Sequence, residues 1–286
     1  AARPGVRQAA QRPTAANTGG RRIVPALLSR AQSLPMPPAL LFLIVFIEGF
    51  CSLGAEVIAL RQIIPHQGSS IVVTAPTIGF FLLALALGYH AGAQVATDYL
   101  KVVARNFLLA ACLIGGGLSG VAVDLIFTLL QPALLAYLIF VAGVVCPAAW
   151  LLGQTVPILS NLLQHQRVGE ASGRALFYST LGSFLGSLVL SLVVMQWLGV
   201  SAAVALCALL LLTGFLVLRG GARSALAAAL AGALLTGTAN LWLRPEIETA
   251  YASYLVKPVA YADALNGRAF INNSSVASLI DDADPP

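Results

Sequence analysis

The chain has 286 residues, of which 58% are hydrophobic and only 9% are charged, and its formal net charge is +5. A soluble globular domain has about 25% charged and about 45–50% apolar residues. Several apolar runs reach about 18 residues or more without a charge, which indicates transmembrane helices. The composition therefore excludes a cytosolic enzyme, a secreted disulfide scaffold and a disordered tail.

Residues 1–38 are predicted to form a flexible basic arm, because they contain six arginines, no acidic residue and no apolar periodicity. No aromatic residue lies between the arginines, so we do not expect nucleic acid as a partner. A cytoplasmic tail beside anionic membrane lipid is the simpler interpretation. The six arginines are Arg3, Arg7, Arg12, Arg21, Arg22 and Arg30.

Residues 39–243 are predicted to form an all-α integral membrane bundle. They contain seven apolar stretches, and each is close to or longer than the roughly 20 residues that a helical span requires. The fourth stretch contains Pro147 and Pro157, which predicts kinks in that helix. The predicted spans are Ala39–Ile64, Ile71–Gly92, Phe107–Leu130, Ala133–Leu163, Ala175–Leu198, Ser201–Leu218 and Ala225–Leu243.

The basic residues predict the orientation of this bundle, because loops rich in Lys and Arg stay in the cytoplasm. With the arm in the cytoplasm, the loops on that side contain six basic residues, and the opposite loops contain none apart from Arg61 at a helix end. Seven spans in a bacterial cytoplasmic membrane then place the C-terminal tail in the periplasm. The six residues are Lys101, Arg105, Arg167, Arg174, Arg219 and Arg223.

The tail, residues 244–286, has a different character, with six acidic and three basic residues. Residues 251–256 and 268–271 are predicted to be short strands of a β-hairpin, and Asn266-Gly267 between them is a favourable turn dipeptide. Because an isolated hairpin is only marginally stable in water, we expect this tail to be the beginning of a soluble domain.

The first span contains Glu48 and Glu56, with Arg61 near its end. Eight residues of helix correspond to 80° beyond two full turns, so the two carboxylates lie on roughly the same side. Charged groups at membrane depth usually face a bundle interior or a water-filled cavity. Two interpretations stay open: a proton or cation site that would suit an amine, and structural carboxylates bonded to another helix. His90 and Asp124, at the ends of the second and third spans, complete this candidate intramembrane polar site.

Three GxxxG pairs are predicted to pack helices against one another inside the bundle, because small residues allow close backbone approach. They are Gly88 with Gly92, Gly116 with Gly120, and Gly182 with Gly186.

No catalytic or cofactor motif is present in the sequence. The four cysteines form no CxxC or Cys/His cluster, so neither a metal nor another cofactor is predicted. The sequence also contains no dinucleotide or P-loop fingerprint, no HExxH, and no Ser/His/Asp set in a soluble region.

Several segments together resemble a known family. Residues 48–57 read EGFCSLGAEV, followed by Arg61, Pro65 and GSS at 68–70; residues 85–89 read LALGY; residues 173–186 read GRALFYSTLGSFLG; and the tail contains ETAY at 248–251 and LNG at 265–267. These segments resemble the membrane region of multi-pass spermidine synthase-like proteins, the polyamine aminopropyltransferases. The helical part is also faintly similar to half of a major facilitator transporter.

The resemblance implies that aminopropyl transfer belongs to a downstream domain, which binds decarboxylated S-adenosylmethionine with a Gly-rich loop and the diamine with acidic residues. Neither feature occurs in this sequence. Three functions follow as hypotheses. The chain is a non-catalytic membrane subunit that docks another membrane protein or complex, or the membrane part of a longer aminopropyltransferase. The third is a polyamine or cation transporter that uses Glu48 and Glu56.

Overall fold

The computed structural model describes residues 36–68, 71–130, 132–163, 168–220, 222–242, 269–273 and 276–280. Among these residues, six helices are long and apolar enough to cross a membrane. This finding agrees with the predicted multi-pass helical bundle. The predicted basic arm lies outside the described residues, apart from its last three positions.

The helices follow one another along the chain with short connections, and four of the eight described helices contain a π-helical segment. In chain order they are α1 (Pro38–Gln67), α2 (Ile71–Ala93), α3 (Tyr99–Cys112, continued by the π-helical Leu113–Gly117), α4 (Gly120–Leu129), α5 (Ala133–Phe140, the π-helical Val141–Val145, Cys146–Gly153 and Thr155–Leu162), α6 (Val168–Val189, the π-helical Leu190–Val194 and Met195–Leu198), α7 (Val200–Arg219) and α8 (Arg223–Gly237, continued by the π-helical Thr238–Trp242).

The six candidate spans are α1, α2, α3, α5, α6 and α7. The seventh predicted span corresponds to α8, which is not one of the six. The count of seven spans, and with it the side of the membrane on which the tail lies, therefore stays a prediction.

The third predicted span, Phe107–Leu130, is not a single helix, and the prediction is wrong on this point. Helix α3 begins earlier, at Tyr99, and its π-helical end stops at Gly117. Ser119 has an extended backbone and caps α4, since its Oγ accepts a hydrogen bond from the Ala122 amide at 3.3 Å. A serine cap satisfies an amide that the first helical turn leaves unpaired, so a new helix begins at this point.

Helix α5 is interrupted near both of its internal prolines. The π-helical segment Val141–Val145 ends two residues before Pro147, and a turn at Gln154 precedes Pro157 by three residues. Proline cannot donate to the carbonyl four residues earlier, which opens the helix at that position. The kinks predicted from the two prolines therefore correspond to interruptions of the helix.

Helix α1 lies at the centre of the bundle. Its apolar stretch is 67% buried, against 22–56% for the other five spans. By contrast, α2 and α6 expose large apolar side chains, such as Ile71 and Phe177 at 77% and 61%. Lipid tails are the environment in which such exposure carries no hydrophobic penalty, so α2 and α6 have the surface of lipid-facing helices.

Buried amides connect helices that are distant in sequence. The Nδ2 of Asn106 in α3 donates to the Oε1 of Gln154 in α5 at 3.0 Å. The Nδ2 of Asn240 donates to the Gly115 carbonyl at 2.6 Å, which fastens the end of α8 to the π-helical part of α3. Interhelical hydrogen bonds of this kind hold transmembrane helices in register.

In the tail, strand β1 (Ala269–Asn273) pairs antiparallel with strand β2 (Val276–Ile280), and Ile271 lies opposite Ser278. The predicted hairpin paired residues 251–256 with residues 268–271. The first of these segments and the Asn266-Gly267 turn lie outside the described residues, so that pairing stays a prediction.

Candidate functional site

Three polar side chains form a buried line along α1. Glu48, Ser52 and Glu56 are 1%, 4% and 6% exposed. They follow one another at intervals of four residues, which places them on one side of the helix and the two carboxylates about 12 Å apart along its axis. Because α1 is the central helix, this line faces protein rather than lipid.

Glu48 is held by a residue of α6. The Oγ of Ser179 donates a hydrogen bond to the Oε2 of Glu48 at 3.0 Å, and Ser179 is itself buried. Glu48 therefore joins α1 to α6, and its carboxyl group is part of the packing between these two helices.

The backbones of α1 and α6 approach closely beside Glu48. A Cβ atom at Gly49 would clash with the carbonyl of Ser179, and one at Gly182 or Gly186 would clash with the carbonyl of Phe46 or Phe50. The Oγ of Ser183 also donates to the Gly49 carbonyl at 3.1 Å. We call this contact the α1–α6 seam, formed by Phe46, Gly49 and Phe50 of α1 and by Ser179, Gly182, Ser183 and Gly186 of α6.

The small residues of the seam explain how Ser179 reaches Glu48. On α6 they recur at spacings of three and four, which places them on one helix face. The absence of large side chains on that face lets the two backbones touch, so a short serine hydroxyl is long enough to reach the carboxylate.

Glu56 differs from Glu48 in its partners. Within the described part of the chain, its carboxylate has no hydrogen-bond or ion-pair partner, although it is only 6% exposed. A buried carboxylate without a donor is unfavourable, so this position favours either a protonated acid or a bound cationic group. Arg61 lies five residues further along α1, is half-buried, and takes part in an interaction of its own.

The other predicted polar residues lie elsewhere. His90 is exposed, and its Nε2 forms a hydrogen bond of 2.8 Å with Gln94 at the end of α2. Asp124 of α4 contacts the Nε2 of His66 at 3.3 Å. Since His66 follows Glu48 by 18 residues of continuous helix, that contact is about 27 Å from Glu48. The structure therefore does not gather the five predicted residues into one site.

The three predicted glycine pairs have different surroundings. A Cβ atom at Gly88 would lie 2.5 Å from the Trp150 carbonyl, and one at Gly92 would lie 2.5 Å from the Gln154 carbonyl, so both glycines sit against the backbone of α5. Gly182 and Gly186 sit against α1 in the seam.

Gly116 and Gly120 lie on different helices, α3 and α4, so they do not form a pair on one helix face. The close contact of this region belongs instead to Gly115, where a Cβ atom would clash with Thr236 of α8.

The sequence did not predict two hydrogen-bond or ion-pair partners of the acidic residues: Ser179, the partner of Glu48, and His66, the partner of Asp124. The signal for Ser179 was its place at the start of the small-residue spacing that continues through Gly182 and Gly186. His66 gave a weaker signal, since it only follows Pro65 at the end of an apolar run. Both contacts depend on helices that are far apart in sequence, which composition and periodicity do not reveal.

Among the residues described, no group of three or more His, Cys, Asp or Glu side chains is placed to hold a metal ion. The Sγ of Cys51 donates to the carbonyl of Cys207 at 3.5 Å, and the four cysteines are not in disulfides. The carboxylates of α1 are groups of the kind that can bind a proton or a cation at membrane depth.

The chain is similar to two bacterial proteins of Ralstonia nicotianae. It is 32% identical over 182 residues to polyamine aminopropyltransferase 1, which covers 61% of this chain and 33% of that protein. It is also 32% identical over 169 residues to polyamine aminopropyltransferase 2, which covers 56% of this chain and 31% of that protein. The relationship to polyamine aminopropyltransferases is thus distant, and this chain spans about a third of their length. No protein-family model matches the chain, and no solved structure matches it.

Proposed function

We propose that this chain is the integral membrane scaffold of a polyamine aminopropyltransferase-like system. In this proposal the bundle does not perform aminopropyl transfer itself. It sits in the bacterial cytoplasmic membrane and docks the protein or domain that does.

The similarity to the two Ralstonia proteins carries this proposal. A match that covers 61% of the chain is too long to fit into residues 1–35 and 243–286, so it must include helices of the bundle. Proteins named polyamine aminopropyltransferases therefore share part of a helical region that, in this chain, has the length and composition of membrane spans.

The described residues support a scaffold better than a transferase. Aminopropyl transfer needs a concave polar site for a nucleoside-bearing donor and acidic groups that hold a diamine. The two buried carboxylates, Glu48 and Glu56, are about 12 Å apart on one helix and lie at membrane depth. Such a position is suited to helix packing or to passage of a small cation, rather than to binding a nucleoside.

The first prediction concerns activity. We expect the expressed 286-residue chain to stay in the membrane pellet after alkaline carbonate extraction of cell membranes, because six apolar helices hold it there. After purification in detergent, the chain should form no labelled spermidine from decarboxylated S-adenosylmethionine and labelled putrescine. Polyamine aminopropyltransferase 1 of Ralstonia nicotianae, assayed in the same detergent, is the control. Spermidine formation by the purified chain would overturn the non-catalytic assignment, and release by carbonate would overturn the membrane assignment.

The second prediction concerns orientation. Green fluorescent protein fused after Val95 or after Gly220 should fluoresce, because basic residues keep these loops in the cytoplasm. Alkaline phosphatase fused after Pro132 or after Leu243 should be active in the periplasm. Activity after Pro132 but not after Leu243 would mean that α8 does not cross the membrane, and would contradict the periplasmic tail. Inactive alkaline phosphatase after Pro132 together with non-fluorescent fusions after Val95 and Gly220 would mean that the bundle has the opposite orientation.

A second candidate function rests on Glu56, which is buried and has no partner among the residues described. A polyamine or another cation could supply the missing positive charge, and two carboxylates on one side of α1 would give it two successive positions. In this hypothesis the bundle moves or binds an amine.

The third prediction tests this candidate. If the bundle transports amines, proteoliposomes containing the chain should accumulate labelled putrescine, and the double variant Glu48→Gln, Glu56→Gln should lose most of that uptake. Glu170→Gln, which removes an exposed carboxylate at the start of α6, is the matched control. Equal uptake by the double variant and the original chain would eliminate the transporter hypothesis.

A further inference from the structure

A cavity lies at one end of the bundle, between α3, α7 and α8, and none of the carboxylates of α1 lines it. Its volume is about 390 Å³. Three cationic side chains border it, Lys101 and Arg105 of α3 and Arg219 of α7, together with the hydroxyl-bearing Ser224 of α8. The rest of the wall is apolar and includes Leu108, Phe215 and Ala228.

The charged and apolar parts of this wall are arranged in two levels. On α3, Leu108 lies one turn deeper than Arg105 and on the same face, since three residues separate them. On α7, Phe215 lies one turn deeper than Arg219 on the same face. Arg105 and Arg219 are exposed, whereas Phe215 is only 5% exposed. The cavity is therefore cationic at its mouth and apolar below it.

The positive charge at the mouth is only slightly neutralised. Asp98 contacts the Nζ of Lys101 at 2.8 Å, and both side chains are more than half exposed. Ion pairs between exposed side chains contribute little energy. Arg105 and Arg219 have no ion-pair partner in the part of the chain that the structure describes. Two guanidinium groups without an ion-pair partner in the described residues, and a lysine in an exposed ion pair, thus border the same cavity.

The first turn of α8 adds to this positive potential. Ser224 is the second residue of α8, so the unpaired amides at the start of that helix lie beside the cavity. Helix N-termini carry a partial positive charge and bind anions such as phosphate. Guanidinium groups bind phosphate oxygens in a bidentate geometry.

We propose that this cavity binds one anionic phospholipid of the cytoplasmic leaflet. The lipid phosphate lies between Arg105, Arg219 and Ser224, and the first part of an acyl chain lies against Leu108, Phe215 and Ala228. The apolar level decides between a lipid and a free phosphate ion, because a free ion gains nothing from an apolar wall. Lys101, Arg105 and Arg219 are among the basic residues that predict the cytoplasmic side of the bundle. The cytoplasmic leaflet is rich in anionic lipid.

The test uses the full chain in a neutral detergent and native mass spectrometry. Phosphatidylglycerol and phosphatidylcholine with identical acyl chains are titrated separately. We expect one phosphatidylglycerol to bind at least about tenfold more tightly than phosphatidylcholine, since three cationic side chains border the cavity and attract an anionic headgroup. The variant Arg105→Gln, Arg219→Gln should lose this preference. The matched control Arg167→Gln, Arg174→Gln removes two positive charges elsewhere on the same predicted side of the membrane and should keep this preference.

A second variant tests the lipid without changing the charge. Ala228→Phe fills the apolar level, and it should weaken phosphatidylglycerol binding even if the arginine variant does not fold. Inorganic phosphate at equal concentration should not displace the lipid. The proposal would be overturned if both arginine variants lost the preference for phosphatidylglycerol to the same extent. It would also be overturned if Ala228→Phe left the affinity for phosphatidylglycerol unchanged, or if inorganic phosphate displaced the lipid fully. Loss of the lipid preference is independent of aminopropyl transfer and of amine uptake.

Discussion

Replacement of Gly182 by leucine is expected to destabilise the bundle by about 3 kcal/mol, the upper end of the cost of overpacking. A side chain at this position would meet the backbone carbonyl of Phe46 rather than a flexible side chain. The contact cannot be relieved by a rotamer change, so α1 and α6 would have to separate. Separation would also break the hydrogen bond from Ser179 to Glu48. The free energy of unfolding, measured by SDS titration in mixed micelles, gives the effect.

The matched control is Gly173→Leu on the same helix. No atom lies within 4 Å of a Cβ built at Gly173, and the same gain in helix propensity applies to both substitutions. We therefore expect Gly173→Leu to leave the free energy of unfolding within about 1 kcal/mol of the original value or to raise it slightly. If both variants lost a similar amount of stability, close packing in the α1–α6 seam would not be what requires a glycine at position 182.

Replacement of Glu48 by lysine is expected to cost about 3 kcal/mol of stability, the cost of a cation at the centre of a membrane helix. Glu48 is 1% exposed and accepts a hydrogen bond from Ser179. The Ser179 hydroxyl could accept one hydrogen bond from an ammonium group at this position, which would leave the other two of its three donors without that partner. Glu48→Gln should cost less than about 1 kcal/mol, because the amide oxygen can still accept the hydrogen bond from Ser179. The same SDS titration measures both variants.

Glu170→Lys is the control for the change of charge, since Glu170 is exposed and pairs with Arg174 at the surface. That substitution should change the stability by less than about 1 kcal/mol. A lysine at position 48 that is tolerated as well as one at position 170 would mean that Glu48 faces water. The small cost expected for Glu48→Gln also makes the uptake experiment interpretable, because a loss of uptake would then not reflect unfolding.

Much of the bundle could be predicted from hydropathy, and the failures have physical causes. The apolar run from Phe107 to Leu130 is continuous, so a hydropathy window treats it as one span. The chain nevertheless divides it, because Ser119 caps a new helix and the glycines before it contribute no side chains to packing. Ser119 alone therefore marks the point where α3 ends and α4 begins. Its effect comes from its extended backbone and its capping hydrogen bond, which the mean hydropathy of the segment does not reflect.

The site was predictable in part for a similar reason. Glu48 and Glu56 could be identified because a carboxylate in an apolar run is rare, and the helical spacing placed them on one side. The partner of Glu48 could not be identified, since Ser179 is 131 residues away and comes close only through the packing of α1 against α6. Asp124 and His66 are a further case, because their contact exists only where α4 folds back on the end of α1.

The π-helical segments have a consequence for the evolution of chain length. Among the described helices, α3, α5, α6 and α8 each contain one, and a π-helical hydrogen bond encloses one residue more than an α-helical bond. A helix can therefore gain or lose a single residue within such a segment while both of its ends keep their positions in the bundle. In alignments of related chains, single-residue gaps inside helices should fall in residues 113–117, 141–145, 190–194 and 238–242, rather than in α1 or α7.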